Sequence, residues 1–330
     1  MDGDSTRVTG GERGNHGSSR GTSWRCIVDA ACGVGEMPIW ASGTGCLYWL
    51  DLYGPTINEL ELASGSRRTW QLPDMPGAYG LRRGDSSCVI ATASGIYGLD
   101  LASGAIMLVR AAPYDQEHYR FNDGRCDPAG RLWFGTNRKP RSARPAGTAS
   151  YWRLDETGLH EEIRGVTIAN GIAFSPAGDL LYLADSPNDQ ILVFDYDPAT
   201  GAVASRRVFA TLEPGSFPDG AAVDAEGGYW TALFNGDRIV RLSADGALDR
   251  ELPSPVPQPT MVSFGGANLR TLFLTTARRF LTEQESAAAP LAGGIFACDL
   301  DIAGIPEPRV IGLDPSPGEA ARPDAWSVPS

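Results

Sequence analysis

The chain has 330 residues, 42% of them hydrophobic, and a formal net charge of −12. That content suffices for a core, whereas the acidic balance argues against a nucleic-acid partner and no apolar run approaches bilayer length. Only three histidines are present (His16, His118 and His160), too few for a multi-histidine zinc site and a poor basis for a Ser-His-Asp triad.

Residues 1–24 are rich in Gly, Ser, Arg and Asp and lack the apolar core of a signal peptide. They read as a disordered tail on a cytoplasmic protein. The six cysteines (Cys26, Cys32, Cys46, Cys88, Cys126 and Cys298) are dispersed, with no Cys-x-x-Cys pair, and are expected as free thiols. From Trp24 to Val28 runs an apolar strand suited to closing a ring of sheets. A first repeat begins at Glu36 and continues through Gly45–Asp51, Thr56–Leu60 and Trp70–Leu72. A weaker second repeat starts at Gly80-Leu81-Arg82 and continues through Cys88–Thr92, Gly95–Leu99 and Ile106–Val109.

The third, fourth and fifth repeats share one formula. Asn122-Asp123-Gly124, Asn170-Gly171 and Asp219-Gly220 each lead an apolar strand. A turn ending in Gly130, Gly178 or Gly227 follows, then an aromatic strand containing Trp133, Tyr182 or Trp230. A sixth repeat holds Thr260–Gly266, Thr271–Thr275 and Gly294–Cys298. Periods of roughly forty to fifty residues, each a set of short strands with Gly or Asp corners, predict an all-β, six-bladed β-propeller with four-stranded antiparallel blades. The propeller is expected over residues 25–314, with residues 315–330 a second loose tail. The tryptophans Trp40, Trp49, Trp133 and Trp230 read as core rather than as a sugar platform.

If the repeats are blades, the heads of their first strands converge at one mouth of the central channel. Glu36, Asn170 and Asp219 then supply two carboxylates and an amide, a hard oxygen set for one divalent cation. Ca²⁺ leads, with Zn²⁺, Mg²⁺, Mn²⁺ and Fe²⁺ admitted because water completes their shells. Asp123 stands in the same column, near the metal or its waters. As a ligating carboxylate with a free oxygen, Asp219 is the candidate proton acceptor for water attack.

The ordered motifs Gly35-Glu36-Met37-Pro38-Ile39-Trp40, Arg120-Phe121-Asn122-Asp123-Gly124, Asp127-Pro128-Ala129-Gly130-Arg131, Asn170-Gly171 and Pro218-Asp219-Gly220 resemble those of the SMP-30/gluconolactonase/regucalcin-like family. Ser263-Phe264-Gly265-Gly266 and Ala292-Gly293-Gly294-Ile295-Phe296 extend the resemblance over nearly the whole chain after the tail. It implies metal ligands at Glu36, Asn170 and Asp219 and substrate contacts at Arg120 and Asn122, with Asp123 beside them. It also implies hydrolysis of a small sugar lactone to the aldonic acid; the expected protein is a monomer or small homo-oligomer, with no nucleic-acid or membrane partner on the grounds of charge and hydropathy. The alternatives are a non-catalytic metal- or metabolite-binding protein and another ester or phosphoester hydrolase on the same propeller. In one respect the chain departs from many relatives: Gly135-Thr136 leads into Arg138, Lys139, Arg141 and Arg144 with no carboxylate. If it overhangs the channel, this basic loop favours an anionic lactone.

Overall fold

In the computed structural model, residues 23–139 and 146–312 are described. The predicted tails (Ser23 and Trp24 excepted) and the loop residues Arg141 and Arg144 lie outside the described residues. Strand β1 (Arg25–Val28) precedes the first complete sheet, and six four-stranded antiparallel sheets make a six-bladed propeller. Blade one is β2 (Gly35–Ala41), β3 (Cys46–Asp51), β4 (Thr56–Glu61) and β5 (Arg67–Gln71); blade two is β6 (Pro76–Leu81), β7 (Ser87–Thr92), β8 (Gly95–Asp100) and β9 (Ile106–Ala111). Blade three follows as β10 (Tyr119–Cys126), β11 (Leu132–Arg138), β12 (Ala149–Asp155) and β13 (Gly158–Val166). Blade four is β14 (Ala169–Phe174), β15 (Leu180–Asp185), β16 (Gln190–Tyr196) and β17 (Val203–Thr211). Blade five is β18 (Pro218–Val223), β19 (Tyr229–Leu233), β20 (Arg238–Leu242) and β21 (Leu248–Pro253). Blade six is β22 (Pro259–Gly265), β23 (Thr271–Thr276), β24 (Ile295–Asp299) and, as its outermost strand, β1. The N-terminal strand therefore completes the last blade and closes the ring.

Burial falls from the axis outward. Every residue of β6, β14, β18 and β22 is buried, whereas β5, β9 and β21 are largely exposed. This is why the innermost strands read as continuous runs of apolar or small residues, without alternation. Blade two begins at Pro76, four residues before its expected start. Its first residues carry no apolar run because space is short: a Cβ at Gly77 would lie 2.2 Å from the Phe121 carbonyl oxygen. All four tryptophans read as core are buried, and the six cysteines are free, five of them buried.

The turns after the inner strands are pinned by buried side chains. Asp127 accepts the backbone N–H groups of Ala129 and Arg131, both at 2.9 Å. Asp224 does the same for Glu226 and Gly228, again at 2.9 Å. The glycine each turn needs is left-handed: Gly130 has φ 89°, Gly178 φ 72° and Gly227 φ 84°.

After β24 the chain does not leave the ring. Residues 303–311 cross the end of the channel opposite the heads of the inner strands. Ala303 and Gly304 pair with Ala225 and Asp224 of blade five, Val310 bridges to Arg82 of blade two, and Ile311 bonds Gly130 of blade three. Beneath this strap the Arg125 guanidinium donates to the carbonyls of Ile172 (3.0 Å) and Ala221 (2.7 Å) and to Glu307 (2.5 Å), spanning three blades and the strap. Among the described residues no helix is long and apolar enough to cross a membrane.

Candidate active site

At the opposite end, the inner strands share one irregularity. Register slips between Glu36 and Ile39 in β2, Asn122 and Gly124 in β10, Asn170 and Ala173 in β14, and Pro218 and Ala221 in β18. Such bulges re-aim a side chain at a sheet end. Three of them place the following residue in the left-handed region: Met37 (φ 52°), Asp123 (φ 41°) and Gly171 (φ 63°). Gly171 is required on steric grounds as well, since a Cβ there would sit 2.4 Å from the Tyr229 hydroxyl oxygen. Backbone groups freed by the bulge are taken up by tyrosines. The Tyr151 hydroxyl accepts from Asn170 N–H (2.8 Å) and lies 2.7 Å from the Asn170 carbonyl, while the Tyr229 hydroxyl donates to the Gly171 carbonyl (2.8 Å).

The result is a cavity of about 230 Å³ whose polar lining includes Glu36, Arg120, Asn122, Asn170 and Asp219. The structure thus gathers five of the six predicted site residues around one space. The orientation of Asn170 is fixed from both ends. Its Nδ2 donates to Ser186 Oγ (2.9 Å), which donates in turn to the Pro218 carbonyl (2.6 Å). Its Oδ1 accepts from Asn122 Nδ2 (2.5 Å). Asp123 lies outside the lining. Its carboxylate accepts the N–H groups of Gly124 (2.7 Å) and Ile172 (3.2 Å), joining the bulges of blades three and four. Burial raises its pKa to about 6 against those donors and Arg125.

Glu36 sits in an electrostatic conflict. Desolvation, then the negative charges of Asp219 and Asp123, push its pKa well above the ordinary carboxylate range; the Met37 N–H and Arg120 only partly offset this. Burial lowers the pKa of Arg120, while the nearby tyrosines and carboxylates favour its charged form. Carboxylates crowded at low dielectric beside an oriented amide oxygen have the donor chemistry of a hard divalent cation site, and Glu36, Asn170 and Asp219 are the residues that could hold one. The one set of three acidic or histidine side chains within 4.8 Å of one another among the described residues, Asp115, Glu117 and His118, is largely exposed and does not line the cavity.

Other lining residues carry no sign of their role in the repeats. Tyr53, Phe217, Phe234 and Phe280 form a continuous aromatic rim: Tyr53–Phe280 centroids are 6.2 Å apart, Phe280–Phe234 6.1 Å and Phe234–Phe217 6.1 Å. The Arg279 guanidinium covers the Tyr53 ring at 4.1 Å. Opposite them stand Asn137 and Lys139, the latter from the basic loop, with its Nζ donating to the Gln116 carbonyl at 2.8 Å. Apart from the basic loop, which singles out Lys139, the one available signal is adjacency, since Phe217 precedes Pro218-Asp219 and Asn137 follows Gly135-Thr136.

The chain is similar in sequence and in fold to known proteins. Over 291 residues the chain is 39% identical to the 6-deoxy-6-sulfogluconolactonase of Pseudomonas putida, covering 87% of this chain and 98% of that protein. It is 33% identical over 291 residues to the L-arabinolactonase of Azospirillum brasilense, covering 87% and 95% respectively. The crystal structure of a calcium-binding protein, regucalcin, from Agrobacterium tumefaciens superposes with a TM-score of 0.83 at 28% identity, covering 88% of this chain and 98% of that one. Residues 34–278 match the model of the SMP-30/gluconolactonase/LRE-like region, a span that contains the cavity's polar lining, and the chain belongs to that family.

Proposed function

We propose that this protein hydrolyses a sugar lactone to its aldonic acid, using a divalent cation held by Glu36, Asn170 and Asp219. The observation that carries this reading is the meeting of those three side chains with Arg120 and Asn122 around one cavity. The names of two relatives, a sulfogluconolactonase and an arabinolactonase, support the substrate class. When bound, a divalent cation supplies Lewis acidity to a carbonyl and acidifies water. Asp219 takes the proton of the attacking water as its oxygen adds to the lactone carbonyl carbon. When the ring C–O bond breaks, the same proton returns to the ring oxygen, which leaves as a hydroxyl. Arg120 and Asn122 orient substrate oxygens, and the aromatic rim limits water around the reacting centre.

The test is a pH-stat assay with gluconolactone and a lactone panel, with spontaneous hydrolysis subtracted. Turnover should vanish with chelator and return with one of Ca²⁺, Zn²⁺, Mg²⁺, Mn²⁺ or Fe²⁺; Ca²⁺ is tried first because a solved relative is described as calcium-binding. No excess over the blank on any lactone with any of these metals would leave a metal- or metabolite-binding protein, or another ester or phosphoester hydrolase, in its place.

Within this reading, a lactone bearing an anionic group is favoured by the Lys139 ammonium in the cavity wall and by the name of the 39%-identical relative. Lys139→Ala should then lower kcat/KM for an anionic lactone several-fold more than for its neutral counterpart. An equal effect on both removes the idea.

A further inference from the structure

One wall of the cavity is taller than the rest. Glu36, Asn170 and Asp219 are each the second residue of their inner strand, whereas Asn122 is the fourth residue of β10. Blade three therefore continues two residues further toward the mouth, a rise of about 7 Å at the usual strand spacing. Its partner β11 follows to Arg138, with Arg120 opposite Asn137, and the Lys139 N–H bonds the His118 carbonyl at 2.6 Å. This lip brings a second-strand residue, Asn137, to the cavity beside inner-strand residues.

Asn137 is 4% exposed, and its side-chain Oδ1 is buried with no hydrogen-bond partner. Ile168 bridges to it across the blade interface and also lines the cavity. A buried unpartnered amide oxygen is unfavourable in the empty protein, and most buried polar groups avoid that state. The neighbouring amides show the contrast, since Asn122 and Asn170 bond one another and their surroundings.

We infer that Asn137 is a specificity-determining residue that accepts a hydrogen bond from a ring or side-chain hydroxyl of a polyhydroxylated ligand. The inference rests on the sugar-lactone reading for the identity of that ligand. A hydroxyl fits the requirement better than an anion. It donates to an amide oxygen, and it would equally accept from the amide nitrogen were the isosteric amide turned over. A carboxylate or sulfonate can only accept. Lys139 is the group on this lip that suits an anion, so the two residues read different parts of a ligand.

The experiment replaces Asn137 by Leu, which keeps the volume and removes the polar atoms. Two measurements follow on the metal-supplemented protein: kcat/KM for a hydroxylated sugar lactone and for an unsubstituted lactone of the same ring size, and calorimetric binding of a cyclic polyol with no lactone carbonyl. The ratio of the two kcat/KM values should fall about 10- to 100-fold, the size expected when a hydrogen bond to a buried polar group is lost. The polyol Kd should rise by a similar factor, and Asn137→Gln or Asn137→Ser should recover part of both. Loss of activity on both lactones alike, or an unchanged polyol Kd, overturns the assignment. If the wild-type protein turns over no lactone yet the polyol still distinguishes it from Asn137→Leu, the lactonase reading fails and the role of Asn137 stands.

Discussion

Glu36 is the residue whose environment demands most of its surroundings. Its carboxyl is desolvated next to two further carboxylates, and each raises its pKa. A cation removes that repulsion; without one, deleting the charge does so. Glu36→Gln is therefore expected to abolish lactone turnover yet raise Tm in chelator by roughly 2 °C or more. Thermal melts with and without metal check this, and a Tm lowered in chelator would contradict it. Gly171 makes the complementary case. Gly171→Ala forces a side chain into the left-handed region at about 1–2 kcal/mol and against the Tyr229 hydroxyl. Urea unfolding should show at least that loss, with metal affinity reduced because Asn170 is displaced.

At the scale of the element, the strands divide by how local their causes are. The first-strand heads with Asn170 and Asp219 were legible because one short motif recurs in blades three to five, carrying its turn glycine and apolar run with it, and Glu36 because it heads an apolar strand at the same blade period. Arg120 and Asn122 were legible from the ordered motif around them. Asp123 shares that motif but turns to the backbone of blade four, a bulge geometry that residue types alone do not reveal. The start of β6, the rim aromatics and Asn137 come from segments without a repeating pattern, brought together only by ring closure. Strand β1 was visible as a strand, but its partner, β24, lies about 270 residues away, at the far end of the propeller. Deleting residues through Val28 should leave β24 as an open edge, seen as aggregation in size-exclusion chromatography and loss of turnover. Arg25→Ala removes only an exposed pair with Asp299 and should change stability by less than about 1 kcal/mol.

For the molecule as a whole, the strap and Arg125 join blades that adjacent sheets do not join. Glu307 is part-buried there, its side chain 10% exposed, and desolvation raises its pKa despite Arg125 and Arg309. The folded protein therefore holds this proton more firmly than the unfolded chain does. Between the ordinary value of 4.5 and the raised one, Glu307 contributes a stability that declines as pH rises. Unfolding free energies measured from pH 4.5 upward should fall more steeply for the wild type than for Glu307→Gln. Parallel profiles would show that the group does not titrate in that window.

Residues 303–311 also make the propeller a cul-de-sac rather than a tube. Reactant, water and the anionic product all share one doorway, framed by the aromatic rim on one side and the blade-three lip on the other. Whatever those two edges admit they must also let go, so the same few side chains govern both selectivity and the pace of departure.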